Sequence, residues 1–220
     1  MVDNMAFDEM NQKENSQEKP QQSNLRKHTP REQKSVPGKS AILYLHDLFY
    51  LVAAVIVVLL LCFRIVIVSG TSMNPTLLDG DYLLLLGNVF YHNPQQGDII
   101  VASKDTFKDG EPIVKRVIAT EDQVVDIKNG TVFVDGNPLE EVYTLTSTSA
   151  IDDGLHFPLT VDKGCLFVLG DNRNGSCDSR YTVIGLIDKR QVLGKVFFLC
   201  LPGTNYGKET ADLDRIGVVS

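Results

Sequence analysis

Ser72 stands in the stretch SGTSMNPTLLDGD (Ser69 to Asp81), directly after the apolar run LFYLVAAVIVVLLLCFRIVIV and with no acid, base or metal ligand beside it. A serine hydroxyl becomes a useful nucleophile when a nearby base takes its proton. The four histidines (His28, His46, His92 and His156) are scattered, and neither His92 nor His156 sits at a strand end with an acidic partner. Lysine is the other candidate, because burial favours the neutral amine that a base requires. Lys115, in EPIVKRVIATED, has the right surroundings. Residues two apart on an extended strand share a face, which groups Ile113, Lys115 and Val117 and sends Arg116, still charged, to the opposite side. Taken alone, the pattern more often describes an ordinary strand lysine that reaches solvent.

A third segment adds weight to the pair. VLGDNRNGSCDSRYTVIG (Val168 to Gly185) places two aspartates, two arginines and two serines close behind an apolar strand. That density of donors and acceptors exceeds what a plain turn needs. Asp178 and Arg180 are spaced to pair, and Ser176 is small enough to hydrogen-bond a neutral lysine amine and orient it. Nothing points to a metal or cofactor: there is no Cys-x-x-Cys pair, and the histidines do not cluster. Cys62 falls in the apolar run, and the odd number left (Cys165, Cys177 and Cys200) allows one disulfide at most, with Cys165 to Cys177 the natural pairing to consider.

These residues need elements to hold them. The chain has 220 residues, is 43% hydrophobic and carries a net charge of -7, room for one medium domain with accessories and a poor balance for binding nucleic acid. Residues 1–47 are rich in Gln, Asn, Ser and charge and are expected to be a disordered tail. Within it, Lys19, Arg26, Lys27, Arg31, Lys34 and Lys39 stand against Glu32 alone between positions 19 and 46. Residues 48–68 are expected to be one transmembrane anchor. Leu48 to Phe63 is free of charge over 16 residues, and Arg64 extends its head to the interface. A buried core helix fits less well, since the run is apolar all round. A cleaved leader would have too long a charged region before it and no small-x-small site after it. The basic flank predicts a cytoplasmic tail and an extracytoplasmic remainder.

Residues 69–220 read as an antiparallel, mostly β domain. Short apolar runs recur at Asp81–Leu86, Asp98–Ala102, Ile113–Ala119, Val124–Ile127, Thr131–Val134, Cys165–Gly170 and Val192–Leu199, separated by turn signals. Asn129-Gly130 marks a hairpin inside an inserted β segment spanning roughly residues 120–160.

The order of these blocks resembles the type I signal peptidases, in their short single-anchor bacterial form. The resemblance rests on SGTSMNPTLLDGDYLLL, GDIIVA, VKRVI and GDNRNGSCDSR, in that order, and covers Phe63 to the C-terminus. It implies a membrane-bound serine endopeptidase that removes signal peptides from exported preproteins by a Ser-Lys dyad, with signal peptides and the lipid bilayer as partners and no cofactor. By motif, Ser72 is the implied nucleophile, Lys115 the general base and Ser176 the residue that orients it. Asp178 and Arg180 support the site from beneath, Asp171 and Asn172 belong to the same supporting block, and Met73 is implied as a wall of the substrate pocket. Three departures stand out. Gly70 occupies a position where some members place a serine that serves the oxyanion hole, ATEDQ replaces the usual Gly and Pro, and Cys177 replaces a small residue. The competing readings are a self-cleaving repressor-type Ser-Lys protease and an inactive anchored binding protein of the same fold.

Overall fold

The computed structural model describes residues 37–203 and 212–219. Helix α1 covers Pro37–Cys62. Twelve strands follow among the described residues. They are β1 (Phe63–Ile67), β2 (Tyr82–Gly87), β3 (Ile99–Ser103), β4 (Pro112–Thr120), β5 (Val124–Lys128) and β6 (Thr131–Val134). Next come β7 (Asn137–Pro138), β8 (Leu159–Thr160), β9 (Cys165–Leu169), β10 (Ile187–Asp188), β11 (Val192–Leu201) and β12 (Gly217–Val218). The chain is thus mostly antiparallel β with one apolar helix, as the alternating runs predict.

The expected anchor boundaries need correction. Residues 65–68 do not complete the helix; Phe63 to Ile67 pair residue by residue with Leu86 to Tyr82. The backbone groups of this β-branched stretch are satisfied by a sheet neighbour instead of an i to i−4 ladder. The helix gains its length at the other end, where residues 41–47 extend it through His46 and Asp47, so the tail expected over 1–47 is helical from Pro37. The expectation of a disordered tail over residues 1–36 lies outside the described residues. Ala41–Cys62 is long and apolar enough to cross a membrane, with a mean hydropathy of 2.5 in its most apolar window.

The larger sheet runs β1-β2-β11-β3-β4-β9-β10, with β12 alongside β11, and every pairing is antiparallel. The smaller sheet, β7-β6-β5-β8, is the expected insertion between β4 and β9, and Asn129-Gly130 forms its β5–β6 turn. Packing between the strands explains the sequence pattern. Leu83 and Leu85 enter one core cluster with Met73 and Leu77. Ile113 and Val117 enter a second. Ile118 and Ala119 enter a third with Val125 and Phe167. Strand β4 therefore has apolar packing on both faces, and its residues from Lys115 to Ala119 are all buried.

Candidate active site

Ser72 lies in the turn that follows β1, and several hydrogen bonds fix that turn. Gly70, at φ +94, donates its N–H to Asp79 Oδ1 (2.7 Å), and Leu77 N donates to Met73 O (3.0 Å). From across the site, Asn172 N donates to Ser72 O (3.0 Å) and Asn172 Nδ2 to Thr71 O (3.1 Å). Asn172 thus holds the backbone carbonyls of Thr71 and Ser72. Met73 is 1% exposed and packs in the first core cluster, so its side chain ties the serine turn to the sheet.

Lys115 comes from β4 and is buried. Its Nζ donates to Ser72 Oγ (2.9 Å) and to the Val114 carbonyl (2.9 Å). Two residues 43 apart in sequence meet because β3 pairs Ile100 with Lys115 and aligns β4 toward the serine turn. Ser176 approaches the serine turn beside Gly170 but does not bond the amine. Its Oγ is buried without a hydrogen-bond partner among the described residues. The expectation that Ser176 orients Lys115 is therefore not met in this arrangement.

Gly170 explains how closely these segments approach. A Cβ there would lie 2.2 Å from Ser176 Oγ and 2.4 Å from the Ser72 carbonyl oxygen, well inside contact distance. Its N–H donates to Asp178 Oδ2 (3.1 Å). Asp178 in turn accepts from Arg180 Nε (2.8 Å) and Nη2 (3.0 Å), and both side chains are buried. Arg180 also donates to the carbonyl of Arg173 (2.6 Å), which closes the loop on itself. Gly170 thus lies between this buried pair and the Ser72 carbonyl.

Two further buried arginines are invisible to simple alternation. Arg116 does point away from Lys115, yet it is only 2% exposed. It donates to both carboxylate oxygens of Asp171 (2.9 and 2.8 Å) and to the Gly97 carbonyl (2.9 Å), while Thr76 donates to the same carboxylate. A planar guanidinium matched to two carboxylate oxygens keeps both charges compensated inside the protein. Arg173 pairs with Glu141 and bonds Thr148. The Tyr143 ring lies against the Arg116 guanidinium, 3.9 Å from its centroid. Burial first, then the Glu141 charge, pushes the Tyr143 hydroxyl above the usual phenol range. Its sequence signal was weak: Glu141 and Tyr143 sit in the inserted segment, far from every motif.

A cavity of about 450 Å³ opens beside the serine and the lysine. One wall is Val66 and Ile67 from the end of β1 with Val68 just after it; the other is Ile113 and Val114 from the start of β4. Met73 and Cys177 contribute to it, and so do Phe107 and Glu111, which no motif had marked. Along both walls the backbone has an open edge. Among the described residues β1 pairs only with β2, and β4 pairs with β9 only from Arg116 onward. No disulfide joins Cys165 to Cys177. Among the described residues no three of His, Cys, Asp or Glu gather where they could hold a metal ion.

Comparison with known proteins places this chain in a class. The family model for signal peptidase, peptidase S26, matches residues 41–201. A probable signal peptidase I-1 of a Synechocystis species is 34% identical over 168 residues, covering 72% of this chain and 83% of its own. The signal peptidase I of Bacillus amyloliquefaciens is 32% identical over 182 residues, covering 79% and 93%. A crystal structure of a signal peptidase I from Enterococcus faecalis is 30% identical with a TM-score of 0.39, covering 47% of this chain and 97% of its own. The chain belongs to the signal peptidase family S26. It is an enzyme, a peptidase of the signal peptidase I type.

Proposed function

We propose that this chain is a membrane-anchored serine endopeptidase that removes signal peptides from exported preproteins, with Ser72 as nucleophile and Lys115 as general base. The observation that carries the reading is the 2.9 Å contact between Lys115 Nζ and Ser72 Oγ at the wall of an open cavity. In the neutral amine the contact runs the other way, the hydroxyl donating. The amine takes the Ser72 proton as Oγ attacks the scissile carbonyl, then returns a proton to the leaving amine. Water deprotonated by the same amine next releases the acyl group and restores the hydroxyl. Burial of Lys115 favours its neutral form. The backbone N–H of Ser72 is the oxyanion donor in this scheme, assisted by Thr71. Asn172, Asp171, Asp178 and Arg180 are positioning residues, acting on Ser72 through Gly170 and the turn.

The open edges of β1 and β4 suit a substrate that adds as a strand, its backbone paired and its alternate side chains directed into the cavity. Met73 and Ile113 leave room for small side chains there. A detergent-solubilised preparation given a peptide spanning an Ala-x-Ala site should cut directly after the second Ala. Phe in place of that Ala should lower kcat/KM by about 100-fold or more, because a bulky ring is excluded outright. Equal cleavage of the two peptides would contradict the assignment of the cavity.

Helix α1 serves as the anchor, with its basic flank in the cytoplasm. Protease added to cells stripped of their wall should digest the domain that follows Cys62 and spare the segment before Pro37. Protection of the domain instead would reverse the orientation and remove the substrate's access to Ser72.

A further inference from the structure

The cavity beside Ser72 ends in a carboxylate. Among the described residues that line it with Ile113, Glu111 carries the carboxylate and Lys115 the amine. Glu111 immediately precedes β4, and Ile113 and Lys115 alternate along it, so with the chain continued in the strand direction the three share a face: acid at one end, apolar in the middle, base at the other. Four steps along the chain separate the carboxylate from the amine, about 13 Å at ~3.3 Å per extended residue.

We infer that Glu111 reads the charge of the substrate residue five positions before the cut, favouring a basic side chain and disfavouring an acidic one. The inference rests on the endopeptidase function proposed above. Its direction follows from topology. Successive pairings in β1-β2-β11-β3-β4 are all antiparallel, so β1 and β4 run in the same sense. β1 leaves the apolar helix at Cys62 and heads for Ser72, and β4 starts at Pro112 and heads for Lys115. The Glu111 end of the cavity is therefore the end nearest the start of β1. A peptide whose apolar segment lies in the same membrane as the helix enters from that end, its residues before the cut lying along the cavity. On a strand laid beside β4, the residues one, three and five positions before the cut point the same way. They meet Lys115, Ile113 and Glu111 in turn. The alternation that demands small residues at the first two of these positions also brings the third to a carboxylate.

Glu111 is exposed, so water and salt screen its effect and the expected preference is moderate. The test uses the full chain in detergent and three peptides with Ala one and three positions before the cut, differing only in Lys, Gln or Glu at the fifth. At low salt the Lys peptide should exceed the Glu peptide about fivefold in kcat/KM, the scale of an exposed attraction turned into a repulsion. At about 0.5 M salt the ratio should fall toward one. Glu111→Gln should remove the ratio and Glu111→Lys should invert it. Each ratio is taken within one variant, so a change in overall rate does not enter. Lys moved to the fourth position, which faces away, should show no dependence on Glu111. Equal rates for Lys and Glu in the unmodified enzyme, or a preference that survives Glu111→Gln, overturns the role of Glu111 and leaves the endopeptidase function standing. Failure to cut any of the three peptides overturns that function, and the role of Glu111 with it.

Discussion

Ser72→Ala and Lys115→Ala are each expected to lower preprotein cleavage by about ten-thousand-fold, with the double variant no worse than either single one. The lack of additivity is the informative part. A hydroxyl without its base and a base without its hydroxyl are equally unable to form the acyl-enzyme, so removing the second group removes nothing further. Lys115 is buried and contacts Ser72 at 2.9 Å, so truncating it also opens space in the β3–β4 packing. Lys115→Met, close in length and without the amine, separates chemistry from packing: it should melt near the parent temperature and remain inactive. A His92→Gln, His156→Gln double variant should keep its activity. The dyad is wrong if that variant dies while Lys115→Ala still cuts.

Much of the candidate site could be read from residue order, and the reasons are local. Ser72, Lys115 and the Asp178–Arg180 pair each sit in a short, dense segment whose residue types have few other uses. The strands around them announce themselves by apolar runs between turns. Asp81–Leu86 was expected and Tyr82–Gly87 is found; Ile113–Ala119 was expected and Pro112–Thr120 is found. What escaped needed knowledge of the third dimension. Phe63–Ile67 is as apolar as the helix before it, and only its pairing with β2 makes it a strand. Alternation assigned Arg116 a face but not an environment. Strand β4 is covered on both sides, and the carboxylate that compensates Arg116 comes from Asp171, 55 residues away. Glu111 and Phe107 carry no motif at all. They matter because β4 brings their segment to the cavity that β1 walls on its other side.

Gly170→Ala should be nearly as damaging as loss of the dyad, although Gly170 has no side chain to contribute. A methyl group at this position would meet the Ser72 carbonyl oxygen at 2.4 Å and the Ser176 hydroxyl at 2.2 Å. The hydroxyl can rotate away, but the Ser176 Cβ, 2.6 Å from the new methyl, stays where it is. The backbone carbonyl cannot rotate away, because Asn172 N already holds it at 3.0 Å and the Met73 side chain roots the turn in the core. Relief must therefore come from moving both the Ser176 segment and the serine turn away from β9, and the second movement lengthens the contact between Ser72 Oγ and Lys115 Nζ. Overpacking of this kind costs about 1–3 kcal/mol of stability. A displacement near 1 Å at a reacting atom costs about 100-fold in rate. The variant should fold, with a lowered melting temperature, while kcat falls by that factor and KM changes little. Gly217→Ala is the matching control, since a Cβ there meets nothing within 4 Å. It should leave both melting temperature and rate unchanged. A Gly170→Ala enzyme that cuts at the parent rate would mean that the turn yields without moving Ser72, and that the close approach of residues 170–172 does not set the nucleophile's position.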